Sequence, residues 1–179
     1  LFFMTKEIVD ASSMNRALMR MTYEIVEHNK GPQNIVFVGI KTRGWYLAQR
    51  IAKNLKKLEK VDVPFGALDI SDYRDDLPES EKKNMIHGQQ LKFNITDKKV
   101  ILVDDVLFTG RTIRAALDAL MDQGRPASIN LAILVDRGHR ELPIRPDFIG
   151  KNIPTSMKEK VKVNMTESDG HDDVTLITD

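Results

Sequence analysis

Cysteine is absent from the 179 residues, which excludes disulfides, zinc–thiolate sites and a cysteine nucleophile but leaves the compartment open. An excess of one charge sign is absent too: 27 Lys and Arg against 26 Asp and Glu leave a net charge of +1. So balanced a chain does not advertise a nucleic-acid partner as a whole, and any basic surface has to come from uneven distribution. Long hydrophobic runs are lacking. IVFVGI (35–40) and LAILV (131–135) are far too short to span a bilayer. The LFF before Met4 is too brief for a signal peptide and has no basic leader. Neither the GxxxxGK[ST] phosphate loop nor the GxGxxG dinucleotide fingerprint occurs. These gaps point to one soluble, cytoplasmic domain, long enough to bury a core.

What is present is alternation. A helix capped by Ser12 or Ser13 is expected to run to about Asn29, with Ala17, Leu18, Met21 and Ile25 inward and Gly31 as its stop. Ile35–Ile40 reads as a buried strand, breaking at KTRG (41–44) before a second helix with Leu47, Ile51, Ala52 and Leu55 inward. Val63–Ile70 reads extended. Residues 71–90 carry charge, Pro78 and Gly88 without a sustained period, the pattern of a long loop that is either functional or disordered. Val100–Val103 is a second buried strand, Thr112–Met121 a helix, and Ser128–Val135 a third strand ending at DRGHRELPIRP (136–146). The tail offers short strands at Phe148–Gly150, Val161–Met165 and Val174–Ile177. Strands alternating with helices predict an α/β fold, a mainly parallel sheet with helices on both faces. Ligands then sit at the carboxyl ends of the strands.

The chemistry concentrates at residues 100–112, VILVDDVLFTGRT. An apolar strand runs into Asp104 and Asp105, which a core does not want, and then into a small-residue turn. Thr109, Gly110, Arg111 and Thr112 open a helix whose free N–H groups and positive dipole end favour an anion. The carboxylates beside this phosphate cup suit the vicinal hydroxyls of a ribose and can help hold a divalent metal. A phosphate next to a diol is a ribose 5-phosphate. For a lone TGRT, turn and capping duty is the better reading; the whole strand, acidic pair and helix-opening turn favour a ligand.

This segment resembles the phosphoribosyl pyrophosphate (PRPP) motif of type I phosphoribosyltransferases. The resemblance extends through VGIKTRGWYLAQRI (38–51), LDISDYRDDL (68–77), VILVDDVLFTGRTIRAALDAL (100–120) and LVDRGHRELPIRPDFIGKNIPTS (134–156). Together these are similar to the bacterial pyrimidine-operon attenuation regulators that are also uracil phosphoribosyltransferases. The resemblance implies a single phosphoribosyltransferase domain with a hood formed mainly by about 139–165 and a mobile loop at about 71–90, assembled as dimers or higher oligomers. It implies conversion of uracil and PRPP to UMP and diphosphate with Mg2+, and UMP-dependent binding of pyrimidine-operon leader mRNA that promotes termination. It gives Asp104 and Asp105 the ribose hydroxyls and, indirectly, the metal. Val106, Leu107, Phe108, Thr109, Gly110, Arg111 and Thr112 form the 5-phosphate loop, and Thr42 and Arg43 bind pyrophosphate. A non-proline cis peptide near Lys41–Thr42 is implied, as are closure of a loop bearing Tyr73 and Arg74 over PRPP and uracil contacts from Arg137 and the Val161 segment.

Two departures matter. Purine-specific relatives keep an aspartate immediately before the Thr-Gly, where this chain has Phe108. That weakens the runner-up reading, a hypoxanthine phosphoribosyltransferase without RNA regulation. Regulators of the resembling family usually have Tyr there. For RNA the resemblance implicates Arg20, His139, Arg140, Arg145 and Lys151, with His28 standing where relatives usually have Arg. The plainer reading of Arg16 and Arg20 is solvated charge, with Arg20 pairing with Glu24 at i,i+4, and for Arg16 the two readings weigh equally. A PRPP-sensing repressor without catalysis is a further reading, opposed by the intact KTRG segment. No side chain stands out as a general base for the uracil N1 proton.

Overall fold

The computed structural model describes residues 3–73 and 91–178. In chain order its elements are β1 (Met4–Val9), α1 (Ala11–His28), β2 (Ile35–Ile40), α2 (Arg43–Glu59), β3 (Phe65–Leu68) and a single 3-10 turn at Ser71–Tyr73. There follow β4 (Lys99–Leu107), α3 (Arg111–Met121), β5 (Ser128–Asp136), β6 (Phe148–Asn152), β7 (Lys160–Asn164), α4 (Thr166–Asp169) and β8 (Asp173–Thr178). Five strands form a parallel sheet in the order β3-β2-β4-β5-β6. Of the expected long loop, residues 74–90, Arg74 included, lie outside the described residues.

Side-chain alternation along the strands builds two cores, one on each face of the sheet. Ile35, Phe37, Ile101 and Val103 face Leu18, Met21 and Ile25 of α1 and Leu47, Ile51 and Leu55 of α2. Val36, Val38, Val100 and Leu102 face Ile113, Ala116 and Leu120 of α3. β4 lies between β2 and β5, so Val100–Val103 have helices on both faces and at most 1% exposure. That is why the strand reads as an unbroken apolar run.

Several boundaries differ from the expectations, each for a local reason. Asp10, not Ser12 or Ser13, caps α1, its Oδ1 accepting from the Ser13 N–H at 2.7 Å; a carboxylate also complements the helix dipole. The two serine hydroxyls accept instead from the Arg16 guanidinium. β4 continues through the acidic pair to Leu107 because β5 pairs with it along the whole length, Asp104 opposite Ile133 and Leu107 opposite Asp136. Asp104 and Asp105 therefore belong to the strand and do not follow it. β1 was not expected; it pairs antiparallel with β8, which also pairs with β7, in a separate sheet of order β1-β8-β7. The segment expected to form a hood, about 139–165, contributes β7 to this sheet. Among the described residues no helix is long and apolar enough to cross a membrane.

One arginine ties the small sheet to the large one. Arg50 of α2 donates Nε and Nη2 to the Glu167 carboxylate and Nη1 and Nη2 to that of Asp172, at 2.7–2.9 Å. These planar, charge-assisted pairs use the fork geometry that lysine lacks. The Arg50 hydrogen bonds hold the Asp172 carboxyl at about 2 against an ordinary 3.8. A depressed folded-state value means stability that is complete above about 4 and is lost as the pH falls toward 2. Asp172→Asn should therefore cost about 1–3 kcal/mol at pH 7, and the gap to the parent should narrow below pH 4. Urea titrations at stepped pH measure both effects.

Candidate active site

The site begins with two glycines. A Cβ on Gly39, at the end of β2, would stand 2.6 Å from the Trp45 Cα and closer still to the Gly44 carbonyl. A Cβ on Gly44 would stand 2.5 Å from the Val103 carbonyl oxygen and 3.2 Å from the Asp104 Cα. The first turn of α2 thus lies directly on the ends of β2 and β4, closer than any side chain allows. That contact brings Thr42 and Arg43, opening α2, to the acidic pair of β4.

Between them lies a polar crevice of about 300 Å³, lined among others by Lys41, Thr42, Arg43, Asp104, Asp105 and Thr112. It occupies the carboxyl ends of β2, β3 and β4, where a parallel sheet places its ligands. The Lys41–Thr42 peptide is cis, as the resemblance implied. Asp104 is 7% exposed, and its Oδ1 accepts from the Asp105 N–H at 2.9 Å. Asp105 Oδ1 accepts from the Val106 N–H at 2.8 Å. Burial pushes the Asp105 carboxyl above its usual range, against the opposing pull of Asp104, the Val106 N–H and the Arg43 charge. A ligand supplying hydroxyl donors or a cation would relieve this.

On the far side of the pair the chain turns through Thr109 and Gly110 into α3. Gly110 is the N-cap at φ 94°, and the N-cap residue itself makes no side-chain hydrogen bond to the helix. An N-terminus left without a side-chain cap is suited to a phosphate. The Arg111 N–H reaches Thr109 Oγ1 at 3.3 Å. The chemistry of the donors fits Mg2+ as well. Among the described residues no group of three or more His, Cys, Asp or Glu gathers to cage a metal, but Mg2+ usually needs only one or two carboxylates besides substrate phosphates and water.

The remaining predicted residues separate. Arg137 is buried, and its guanidinium stacks on the Phe108 ring at 4.1 Å from the centroid. It donates to Thr155 Oγ1, Ser156 O and Glu159 O, fastening the 155–159 segment over the end of β5. Val161 packs half-buried against the core from β7. Arg20 pairs with Glu24 at 2.9 Å and also donates to the carbonyls of Ile149 and Gly150 on β6. It thereby ties α1 to the strand that also carries exposed Lys151. His139 bonds Thr155 O and meets the Phe108 ring edge-on at 5.8 Å. Arg140 donates to Ile144 O, and Arg145 is exposed. Two carboxylates were missed. Asp69, just past β3, lines the crevice and accepts from the Ser71 N–H and hydroxyl; its place after a third strand end was a legible signal. Asp169 accepts from Arg43 across a separation in sequence that no local pattern bridges.

Against known proteins, residues 4–165 match the model of the phosphoribosyl transferase domain. A protein of Limosilactobacillus reuteri named "Bifunctional protein PyrR" is 65% identical over 175 residues, covering 97% of this chain and 98% of its own length. One of Enterococcus faecalis with the same name is 61% identical over 171 residues, 96% of each. Solved structures of similar fold include a hypoxanthine phosphoribosyltransferase of Trypanosoma cruzi, with TM-score 0.74 and 17% identity over 96% of this chain and 90% of that one. Another, from Staphylococcus aureus, has TM-score 0.65 and 18% identity over 85% and 80%. At such identities the likeness is one of fold.

The glycine contact gives a direct prediction. Gly44→Ala should force α2 off β4, lowering stability by about 1–3 kcal/mol as overpacked sites do, and should weaken PRPP binding at least tenfold. Thermal unfolding and equilibrium titration with PRPP measure the two effects.

Proposed function

The chain belongs to the phosphoribosyltransferases, in the family of the bifunctional PyrR proteins, and on that premise we propose the part each element of the crevice plays. The reaction joins uracil to PRPP, releasing diphosphate and forming UMP, and the same protein regulates pyrimidine-operon transcription through RNA. The observation that carries the site is the meeting of three features in one crevice: the acidic pair of β4, the N-terminus of α3 and the N-terminus of α2.

Val106 to Thr112, with the first N–H groups of α3, receive the 5-phosphate. Asp104 and Asp105 accept hydrogen bonds from the two ribose hydroxyls, which fixes the sugar between the two helix ends. Thr42 and Arg43 receive the pyrophosphate, whose charge the α2 dipole also favours. As the C1–oxygen bond to pyrophosphate breaks and the bond to uracil N1 forms, negative charge collects on the leaving group while the N1 proton departs. Asp104 and Asp105 are the residues that would help hold a Mg2+ ion, which would supply neutralisation of part of that charge. The rest of the catalysis is positioning and fixed electrostatics. Arg137 and the Val161 strand border the uracil end. The Arg137 side chain is committed to Phe108 and the 155–159 segment, so its part there is to shape the pocket wall. Phe108 offers no acid to a purine ring, which favours uracil over hypoxanthine.

For RNA, α1 packs on β6, and the Arg20 bonds to Ile149 O and Gly150 O anchor Arg20 on the strand that carries Lys151. His139, Arg140 and Arg145 follow on the loop after β5. The Phe108–His139 contact joins the nucleotide loop to that basic loop and supports control of RNA binding by UMP. An operon leader RNA as partner requires the cytoplasm, and assembly as a homodimer or higher oligomer would widen the basic surface.

Asp104→Asn and Asp105→Asn should each lower kcat/KM for PRPP about 10- to 100-fold, the worth of a hydrogen bond to a charged group. With the Asp105 carboxyl raised, PRPP use in the parent should fall on acidification earlier than for an ordinary carboxylate, and Asp105→Asn should flatten that limb. Assays with PRPP against uracil, hypoxanthine and guanine at stepped pH test this; equal turnover of hypoxanthine would overturn the assignment of the base. On the RNA side, Arg140→Ala with Lys151→Ala should flatten the salt dependence of leader-hairpin binding by roughly 0.7–0.9 in log–log slope per lost phosphate contact, while uracil transfer survives. Filter binding with UMP present, beside the turnover assay, separates the two.

A further inference from the structure

Arg43 is held by a residue of α4, the turn between β7 and β8. Its Nη2 donates to both carboxylate oxygens of Asp169, at 3.0 and 3.2 Å. Among the described residues, the Arg43 Nε is the one buried side-chain nitrogen or oxygen with no hydrogen-bond partner. A buried guanidinium N–H without an acceptor is costly to leave unmade, and this one belongs to a residue that lines the crevice.

Asp169 is in turn fixed. Its Oδ2 accepts from the Met165 N–H and the Ser168 hydroxyl, both at 2.9 Å, and these bonds, the backbone one first, with the Arg43 pair, hold the carboxyl at about 2. It is therefore charged at any pH at which the protein works. The turn that carries it, α4, is anchored through Glu167 and Asp172 to Arg50. Arg43 and Arg50 lie seven residues, about two turns, apart on α2 and so share a face. Both forks of that face dock on the single turn 166–172. The arrangement clamps α2 at two points and fixes the guanidinium nearer the crevice through its Nη2, with the Nε–H buried and without a partner.

We propose that Asp169 is a positioning residue for the pyrophosphate subsite: it holds the Arg43 guanidinium, otherwise a freely rotating fork, in the orientation that meets the pyrophosphate of PRPP. The proposal rests on the reading of Arg43 as a pyrophosphate ligand. Uracil and UMP, which carry no pyrophosphate, should not sense the pair.

The test is a cycle of Asp169→Ala, Asp169→Asn, Arg43→Ala and the Asp169→Ala/Arg43→Ala double variant, each assayed for PRPP, uracil, pyrophosphate inhibition and UMP binding. Asp169→Ala should raise the KM for PRPP and the inhibition constant of pyrophosphate about tenfold, with the KM for uracil and the affinity for UMP within twofold of the parent. Asp169→Asn, which keeps an acceptor oxygen, should fall between the two. The double variant should be no worse than Arg43→Ala, since Asp169 acts only through Arg43. An unchanged or lowered KM for PRPP in both Asp169 variants, with Arg43→Ala impaired, would overturn the positioning role and leave the site reading standing. Parallel losses for PRPP, uracil and UMP would reduce Asp169 to a structural anchor and equally overturn it. If Asp169→Ala does not fold, Asp169→Asn and its UMP affinity decide. An Arg43→Ala protein that uses PRPP normally would instead remove Arg43 from the pyrophosphate subsite, and the inference with it.

Discussion

The contact on which the rest depends is the bare backbone approach of α2 to the ends of β2 and β4 through Gly39 and Gly44. A methyl group on either would meet backbone atoms at or inside 2.6 Å, which no rotamer change relieves. Without that approach the N-terminus of α2 would ride a side chain's width above the sheet. Thr42 and Arg43 would then stand off from Asp104 and Asp105, and the crevice would open into two separate surfaces. The central strand adds the second requirement. Because β4 is buried on both faces and paired on both edges up to Val103, the acidic pair that follows in the same strand is presented on a support that has little freedom to move.

That geometry also resolves an electrostatic puzzle. A polyanionic substrate is read into a crevice that holds at least three carboxylates, those of Asp69, Asp104 and Asp105. On the proposed reading, two helix N-termini and the Arg43 charge face the phosphates, while the carboxylates face the part of the substrate that donates hydrogen bonds. Burial raises the Asp105 carboxyl above its usual range, which marks the cost of gathering like charges that a diol or a cation would relieve. The arginines that serve the fold, Arg50 and Arg137, are satisfied by several acceptors each. Arg43, which the proposed function assigns to the site, keeps a buried Nε–H without a partner.

How much of this was legible in the sequence follows the range of each interaction. The β4–turn–α3 unit was readable because its signals are local: an apolar run, an unwelcome acidic pair and a glycine before a helical period. The inward faces of α1, α2 and α3 were readable for the same reason. The extent of β4 was not, since its pairing with β5 and not its own residues carries it through Asp104 and Asp105 to Leu107. β1 was missed because MTKEIV is largely exposed and is made a strand by β8 at the far end of the chain. Arg20 shows a partial success: the i,i+4 pair with Glu24 was visible, whereas its bonds to β6 carbonyls depend on a helix-to-sheet packing that spacing does not encode. Arg137 and Asp169 make the same point at the site, where partners lie on segments far off in the chain.

The central claim is that a single crevice, bounded by the α2 and α3 N-termini, binds a ribose phosphate through the acidic pair of β4. A crystal structure of the protein with UMP tests it most directly. The account predicts the phosphate on the backbone N–H groups between Thr109 and Thr112 and the ribose hydroxyls on Asp104 and Asp105. It further predicts the uracil ring toward the Phe108–Arg137 wall. A nucleotide bound away from the acidic pair, or held in the crevice with its phosphate on Thr42 and Arg43 and its ribose free of both carboxylates, would contradict it.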